Sequence, residues 1–256
     1  MISVFMVMRE SFLLLRRDKI FLPAVAAGVM ITIFANIASE WGIEEFRKIL
    51  FDVGALGFHL TGCLVAIFWG TKTVSEARAD GSLEIQLAAP IGRVSWLVGK
   101  YLGLVLALIF FWLLVLVFWQ GIMFANDFGG MTQPQFMFFV FQLLEWSLVG
   151  AVALFYSTFA GVTIALFATI STWMAGLVSL PVAQNLPYGA EGWAVDVVKG
   201  LARFWDLRQF NLSGFATGVE KIGPGELQVR GVYGILLILI IMTVSCVFFR
   251  RRDVLA

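Results

Sequence analysis

Charge is what this chain has least of. Only 14% of its 256 residues are Asp, Glu, Lys or Arg, where a soluble domain carries about 25%. Apolar residues make up 60%, and the mean hydropathy is +0.91. An ordinary water-soluble globule is excluded, and the chain belongs in a bilayer. Histidine occurs once, as His59, and cysteine twice, as Cys63 and Cys246. Both cysteines fall in apolar runs and read as small core residues, so no disulfide framework is implied. No G-x-x-x-x-G-K-[ST] phosphate loop occurs. Any ATP this protein uses is therefore bound by another polypeptide. No H-E-x-x-H or G-x-S-x-G motif is present either, which argues against an intramembrane hydrolase. The net charge of +1 gives no bias toward nucleic acid.

What is there is hydrophobic length. A hydrocarbon core of about 30 Å takes about 20 apolar helical residues. Six segments reach that length, near 20–38, 51–71, 101–125, 136–156, 160–182 and 231–249. The fourth and fifth are joined only by the short uncharged run Ser157–Ala160, which predicts a tight hairpin. The fold class is an all-α membrane protein with six transmembrane helices, built as one transmembrane domain over 1–256.

Basic residues set the orientation. Arg9, Arg16, Arg17 and Lys19, then Lys72, Arg78, Arg93 and Lys100, then Arg250, Arg251 and Arg252 all fall on one side of a six-span arrangement. Those eleven of the eighteen Lys and Arg residues predict a cytoplasmic N-terminus, C-terminus and 72–100 connection. The first nineteen residues read as an interfacial helix rather than a span or a cleavable leader. Phe5, Met8, Phe12 and Leu15 recur at helical spacing, with Arg9, Arg16 and Arg17 off that stripe. On the other side, the loop over 183–230 is the largest exposed piece. Pro181, Asn185, Pro187 and Gly189 break helix at its start. Trp193, Val197, Leu201 and Phe204 then form an amphipathic stripe suited to the outer face. A second helical piece is expected near Asn211–Ile222, ended by Gly223, Pro224 and Gly225.

The connection over 72–100 is the most organised polar stretch. Asp80, Gly81 and Ser82 interrupt the helix leaving span 2. Glu84 falls in the first turn of the next helix, where an acid complements the helix dipole. Leu83 and Leu87 share one face of it, Pro90, Ile91 and Gly92 close it, and Arg93 and Lys100 flank the approach to span 3. The pattern predicts a short cytoplasmic helix between two breaks, suited to a groove on a soluble partner.

The run Glu76…Asp80-Gly81-Ser82-Leu83-Glu84…Ala89-Pro90-Ile91-Gly92-Arg93…Gly99-Lys100 resembles the cytoplasmic signature of type-2 ABC transporter permeases. Ser82 stands for the usual Thr and Gly92 for the usual Ser. The Phe210-Asn211-Leu212 patch after Trp205-Asp206 resembles the subgroup akin to the permease of the nitrous oxide reductase maturation system. The resemblance implies an exporter permease in a bacterial cytoplasmic membrane. Its partners would be two copies of a cytoplasmic ATPase carrying ATP and Mg, a second permease copy or a paralogue, the lipid bilayer, and an extracytoplasmic accessory protein. No cofactor belongs to this chain itself. Under this reading Glu76, Asp80, Gly81, Ser82, Leu83, Glu84, Leu87, Pro90 and Arg93 form the coupling element. Two rival classes stay open: an ATPase-energised complex with a mechanical or assembly role, and an ion-coupled secondary transporter. The second needs discontinuous helices, and span 5 has no mid-span proline.

Two intramembrane polar residues are candidates for a functional site. Glu145 in span 4 is a carboxylate that must face protein, water or a partner. His59 in span 2 has Cys63 at i+4, but two ligands are too few for a metal, so packing is expected and no metal site is assigned. In span 5, Gly161, Ala165 and Thr169, and Ala168, Thr172 and Gly176, repeat small residues every four positions, which suits close helix contact within or between chains. Trp41, Trp193 and Trp205 are expected at the outer interface, and Trp69 and Trp96 at the inner one. Phe110, Phe111, Trp112, Phe118 and Trp119 in span 3 are expected to face lipid.

Overall fold

The computed structural model describes residues 2–19, 21–40, 46–88, 92–185 and 193–251. The fold is all-helical, with no strand among the described residues. α1 (Ile2–Arg16) is followed by α2 (Phe21–Ser39) and α3 (Phe46–Ala79), then by the short α4 (Ser82–Ala88), α5 (Arg93–Ala125), α6 (Gln133–Ser157) and α7 (Val162–Gln184). α8 (Trp193–Phe204), a 3-10 turn at Leu207–Phe210 and α9 (Ser213–Ala216) precede α10 (Pro224–Arg251). Six of these, α2, α3, α5, α6, α7 and α10, are long and apolar enough to cross a membrane.

α3 is the centre of the bundle. It has 34 residues and no proline, so at 1.5 Å per residue it is a rod of about 50 Å. Two of its glycines open notches for α6. A Cβ on Gly62 would lie 1.9 Å from the Trp146 ring, and one on Gly70 would lie 2.5 Å from the Ala153 methyl. A layer of rings fills the space beside this contact. Phe51 and Phe58 of α3 meet Trp119 of α5 and Phe139 of α6 with centroids 5.7 to 6.4 Å apart, in edge-to-face pairs. Each such pair adds about 0.5–1.5 kcal/mol beyond its buried area.

That layer corrects the placement of the aromatics. Phe111 and Trp119 are wholly buried and Trp112 nearly so, with the Trp112 indole donating to the Phe139 carbonyl at 2.8 Å. They are core rather than lipid-facing, because α5 turns this face toward α3 and α6. Trp69 and Trp96 are likewise buried in the protein. Trp41 lies outside the described residues. Trp193 is exposed, and the Trp205 indole donates inward to the Thr172 carbonyl of α7 at 2.8 Å.

α1 docks along the first turns of α5. Its buried side is Val7, Ser11 and Leu15, while Phe5 and Met6 point outward. The stripe is thus rotated from the one that the large residues suggest. The cause lies on α5. A Cβ on Gly103 would sit 2.5 Å from the Ser11 Cβ and 2.8 Å from the Met8 carbonyl oxygen, and one on Gly99 would sit 2.8 Å from Val7. Small residues let the two backbones approach, so the small face of α1 goes inward. Phe12 still reaches Phe110 edge-on at 6.0 Å.

Two prolines act differently from the sequence expectation. Pro181 lies inside α7, which runs on to Gln184. A proline this near the helix end removes one backbone bond and leaves the last turn in place. Pro224 opens α10 instead of preceding it, as suits a residue with no N–H to leave unpaired. Pro187 and Gly189 lie outside the described residues. In α7 the small-residue stripe turns inward through the buried Ala165 and Thr169, continuing to Trp173 and Gly176.

Candidate functional site

The first polar constellation is the turn between α3 and α4. Gly81 has φ +74°, a left-handed conformation that glycine adopts at little cost. The Ser82 N–H donates to the Asp80 carboxylate at 2.9 Å, and the Ser82 hydroxyl reaches back to the Ala77 carbonyl at 3.3 Å. Ser82 holds the Asp80 carboxyl below its ordinary range, its backbone N–H acting most and its nearby hydroxyl next. α4 is then tied to the bundle by its inner side. Leu83 is buried with Val74, Trp96, Leu97 and Tyr101. The Trp96 indole donates to Gln86 Oε1 at 2.8 Å and its ring stacks on Phe249 of α10 with centroids 5.6 Å apart. Lys100 places its ammonium 5.2 Å from the Trp96 ring centroid. Glu84 is exposed.

Arg78, one turn before this break, joins α3 to the connection between α6 and α7. Its guanidinium donates to the carbonyls of Ser157 at 2.9 Å, Thr158 at 3.3 Å and Ala160 at 2.6 Å. Ser75 adds a hydroxyl bond to the Ala160 carbonyl at 3.1 Å. A cation here satisfies the orphan carbonyls that end α6 and complements its dipole. Between α1, α3 and α4 lies a crevice of about 300 Å³ lined by Asp18, Lys72, Glu76, Asp80, Gln86 and Lys100 among others. Lys72 pairs across it with Asp18 at 3.6 Å and along α3 with Glu76 at 3.5 Å.

The second constellation lies inside the bundle, where α3 faces α6. His59 Nδ1 is 3.3 Å from Glu145 Oε2, without the alignment of a hydrogen bond. Glu145 is 0% exposed. Cys63, one turn along α3, brings its sulfur within 4.8 Å of both ligand-type atoms. Gln142, one turn before Glu145 on α6, is buried with neither amide atom hydrogen-bonded. A cavity of about 330 Å³ runs from His59 and Gln142 to Asp52, Asn211 and Ser213. Asn211 and Ser213 belong to a segment that dips into the bundle, for Leu207, Phe210 and Leu212 beside them are all buried.

The residues singled out from sequence thus divide between two places. Glu76, Asp80, Gly81, Ser82, Leu83 and Glu84 gather at the α3–α4 turn. Leu83 faces the protein's own core and Glu84 faces out. Arg93 starts α5 and donates to the Arg250 carbonyl at 3.5 Å. Pro90 and the side chain of Leu87 lie outside the described residues. Glu145 and His59, on different helices, form one group. Arg78, Gln86, Trp96 and Gln142 were not singled out as site residues. For Gln142 a signal existed, since Q-x-x-E inside an apolar run puts two polar side chains on one helical face. For the Gln86–Trp96 contact no spacing rule applies.

Six bilayer-length helices, with a broken helical turn at one end and a buried polar group between two of them, define a multi-pass α-helical membrane protein. The profile described as ABC-2 family transporter protein matches residues 25–190, well over half of the chain. The chain belongs to the ABC-2 family of transporter proteins. Membership makes it the membrane permease subunit of an ABC transporter rather than the ATPase, and implies a partner ATPase and surrounding lipid. A comparison with curated proteins finds no match.

Proposed function

We propose that this chain is the permease half of an ATP-driven exporter in a bacterial cytoplasmic membrane, with both termini and α4 in the cytoplasm. Two ATPase subunits carrying ATP and Mg would serve a pair of permeases, either two copies of this chain or one copy and a paralogue. α4 is the coupling helix and α1 an interfacial helix. The observation that carries this is the construction of α4. Leu83 and the Gln86–Trp96 bond fasten one side to the bundle, which leaves Glu84 exposed on the other. A short helix held this firmly transmits a push instead of yielding to it. Closure of the ATPase dimer would displace α4, and through Asp80 and Arg78 it would move the ends of α3 and α6 together. The Phe210-Asn211-Leu212 patch supports placement beside the nitrous oxide reductase maturation permeases, and an extracytoplasmic accessory protein is a further partner under this reading.

The test is purification with native partners. The unaltered chain is expected to co-elute with an ATPase, and Glu84→Arg to reduce that recovery at least tenfold while elution of the permease itself stays unchanged. Undiminished recovery and undiminished ATP-dependent transport by Glu84→Arg and by Asp80→Ala would sink the assignment of α4.

A further inference from the structure

We propose that His59, Cys63 and Glu145 form a binding site for one divalent transition-metal ion of the zinc class, held between α3 and α6 and reached through the cavity beneath Asn211 and Ser213. The donor set is the first argument. A nitrogen, a sulfur and a carboxylate oxygen are ligands zinc accepts together, with a fourth position left to water or an amide oxygen. The three atoms lie within 4.8 Å of one another, and the His59–Glu145 separation is already 3.3 Å. Bond lengths of about 2.0–2.3 Å around a tetrahedral ion require ligand separations of about 3.3–3.8 Å. A modest torsion at Cys63 closes the remaining gap.

The second argument is the state of the polar atoms. Both Glu145 oxygens, His59 Nδ1 and both amide atoms of Gln142 are buried without a hydrogen-bond partner, on residues 8% exposed or less. Buried polar atoms are normally hydrogen-bonded, and a carboxylate buried in a bilayer with no hydrogen bond is costly even beside the His59 ring at 3.3 Å. A dication balances one thiolate and one carboxylate, with the imidazole neutral, so the filled site buries no net charge. Binding releases the Cys63 thiol proton to water in the cavity. Gln142 Oε1 is placed on the adjacent turn of α6 to complete the coordination or to bond to the metal-bound water. Asp52 lies exposed at the mouth of the same cavity. The ion would clamp α3 to α6 at a depth set by the Gly62–Trp146 contact. This inference does not depend on the direction of transport or on the role of α4.

The experiment is a Co2+ titration of the full-length, tag-free chain in lipid nanodiscs after chelator dialysis. The expected result is one equivalent bound, with a thiolate-to-cobalt band in the near ultraviolet that Zn2+ abolishes by displacement. Cys63→Ser should remove that band and Glu145→Gln should weaken binding at least tenfold, with Cys246→Ser unchanged. If either site variant fails to fold, the unaltered chain and Cys246→Ser still decide the question. An unaltered chain that shows no such band overturns the proposal and leaves a His59–Glu145 proton pair as the occupant. A band that survives Cys63→Ser or vanishes in Cys246→Ser overturns it as well.

Discussion

Arg78 near the end of α3 donates from Nη2 to the carbonyl of Ala160 at 2.6 Å, across the gap between α6 and α7. The same guanidinium holds Ser157 and Thr158, so one side chain closes a helix end that has few other donors. Arg78→Met should lower the thermal unfolding midpoint in detergent. The expected loss is about 2 kcal/mol, since hydrogen bonds from a charged donor are worth about 1.5–3 kcal/mol and this group is only partly buried. Arg78→Lys should recover less than half, because an ammonium lacks the planar fork that reaches three carbonyls. Equal midpoints for all three proteins would show that the cap carries no stability.

The docking of α1 rests on the absence of side chains at Gly99 and Gly103. Gly103→Leu should cost about 1–3 kcal/mol by overpacking and should release α1 from α5. Hydrogen exchange in residues 4–15 is the measurement, with faster exchange expected there and none in α6. Phe12→Ala removes one ring contact and should leave α1 in place. If α1 stays protected in Gly103→Leu, the close approach is not what holds it.

A double-mutant cycle can weigh the tether of α4. Trp96→Phe and Gln86→Leu each remove one partner of the 2.8 Å bond. A coupling energy of about 1 kcal/mol is expected, the usual net value of a neutral hydrogen bond. Strict additivity of the two changes would mean that the indole acts only through its stacking on Phe249.

Asp80 gives the turn a pH dependence of known sign. Its carboxyl lies below the ordinary 3.8 because Ser82 donates to the ionised form. The stabilisation is therefore fully present above about pH 3.8, the unfolded value, and is lost as pH falls through the lower folded value. Amide exchange at Gly81–Glu84 should be flat from pH 8 to 5 once corrected for the intrinsic rate. Asp80→Asn, which keeps the shape without the charge, should raise it at neutral pH. Identical protection in Asp80→Asn would place the turn's order in Gly81 alone.

The membrane spans were legible because bilayer thickness imposes a length that composition reports directly, and the break at Asp80-Gly81-Ser82 was legible because turn chemistry is local. What hid was the inside of the bundle. Hydropathy treats a phenylalanine against lipid and one against Trp119 alike, so the aromatics of α5 read as lipid-facing. The α1 stripe misled in the same way, since the large residues dominate periodicity while the glycines of α5 choose the small face. His59 and Glu145 were each visible as rare polar residues, but their meeting depends on the register of α3 against α6. That register is set by Gly62 and Trp146, 84 positions apart in the chain.

α3 passes from Phe46 to Ala79 as one helix, with Arg78 near one end and His59 in the middle. A beam without a joint does not absorb a displacement; it delivers it. Twist or translation imposed at Asp80 would be carried along α3 toward His59, and an ion or proton seated against Glu145 would bear on the same helix. If α4 receives the push of an ATPase as proposed, occupancy at the centre of α3 would act as a brake on the end where that force is applied.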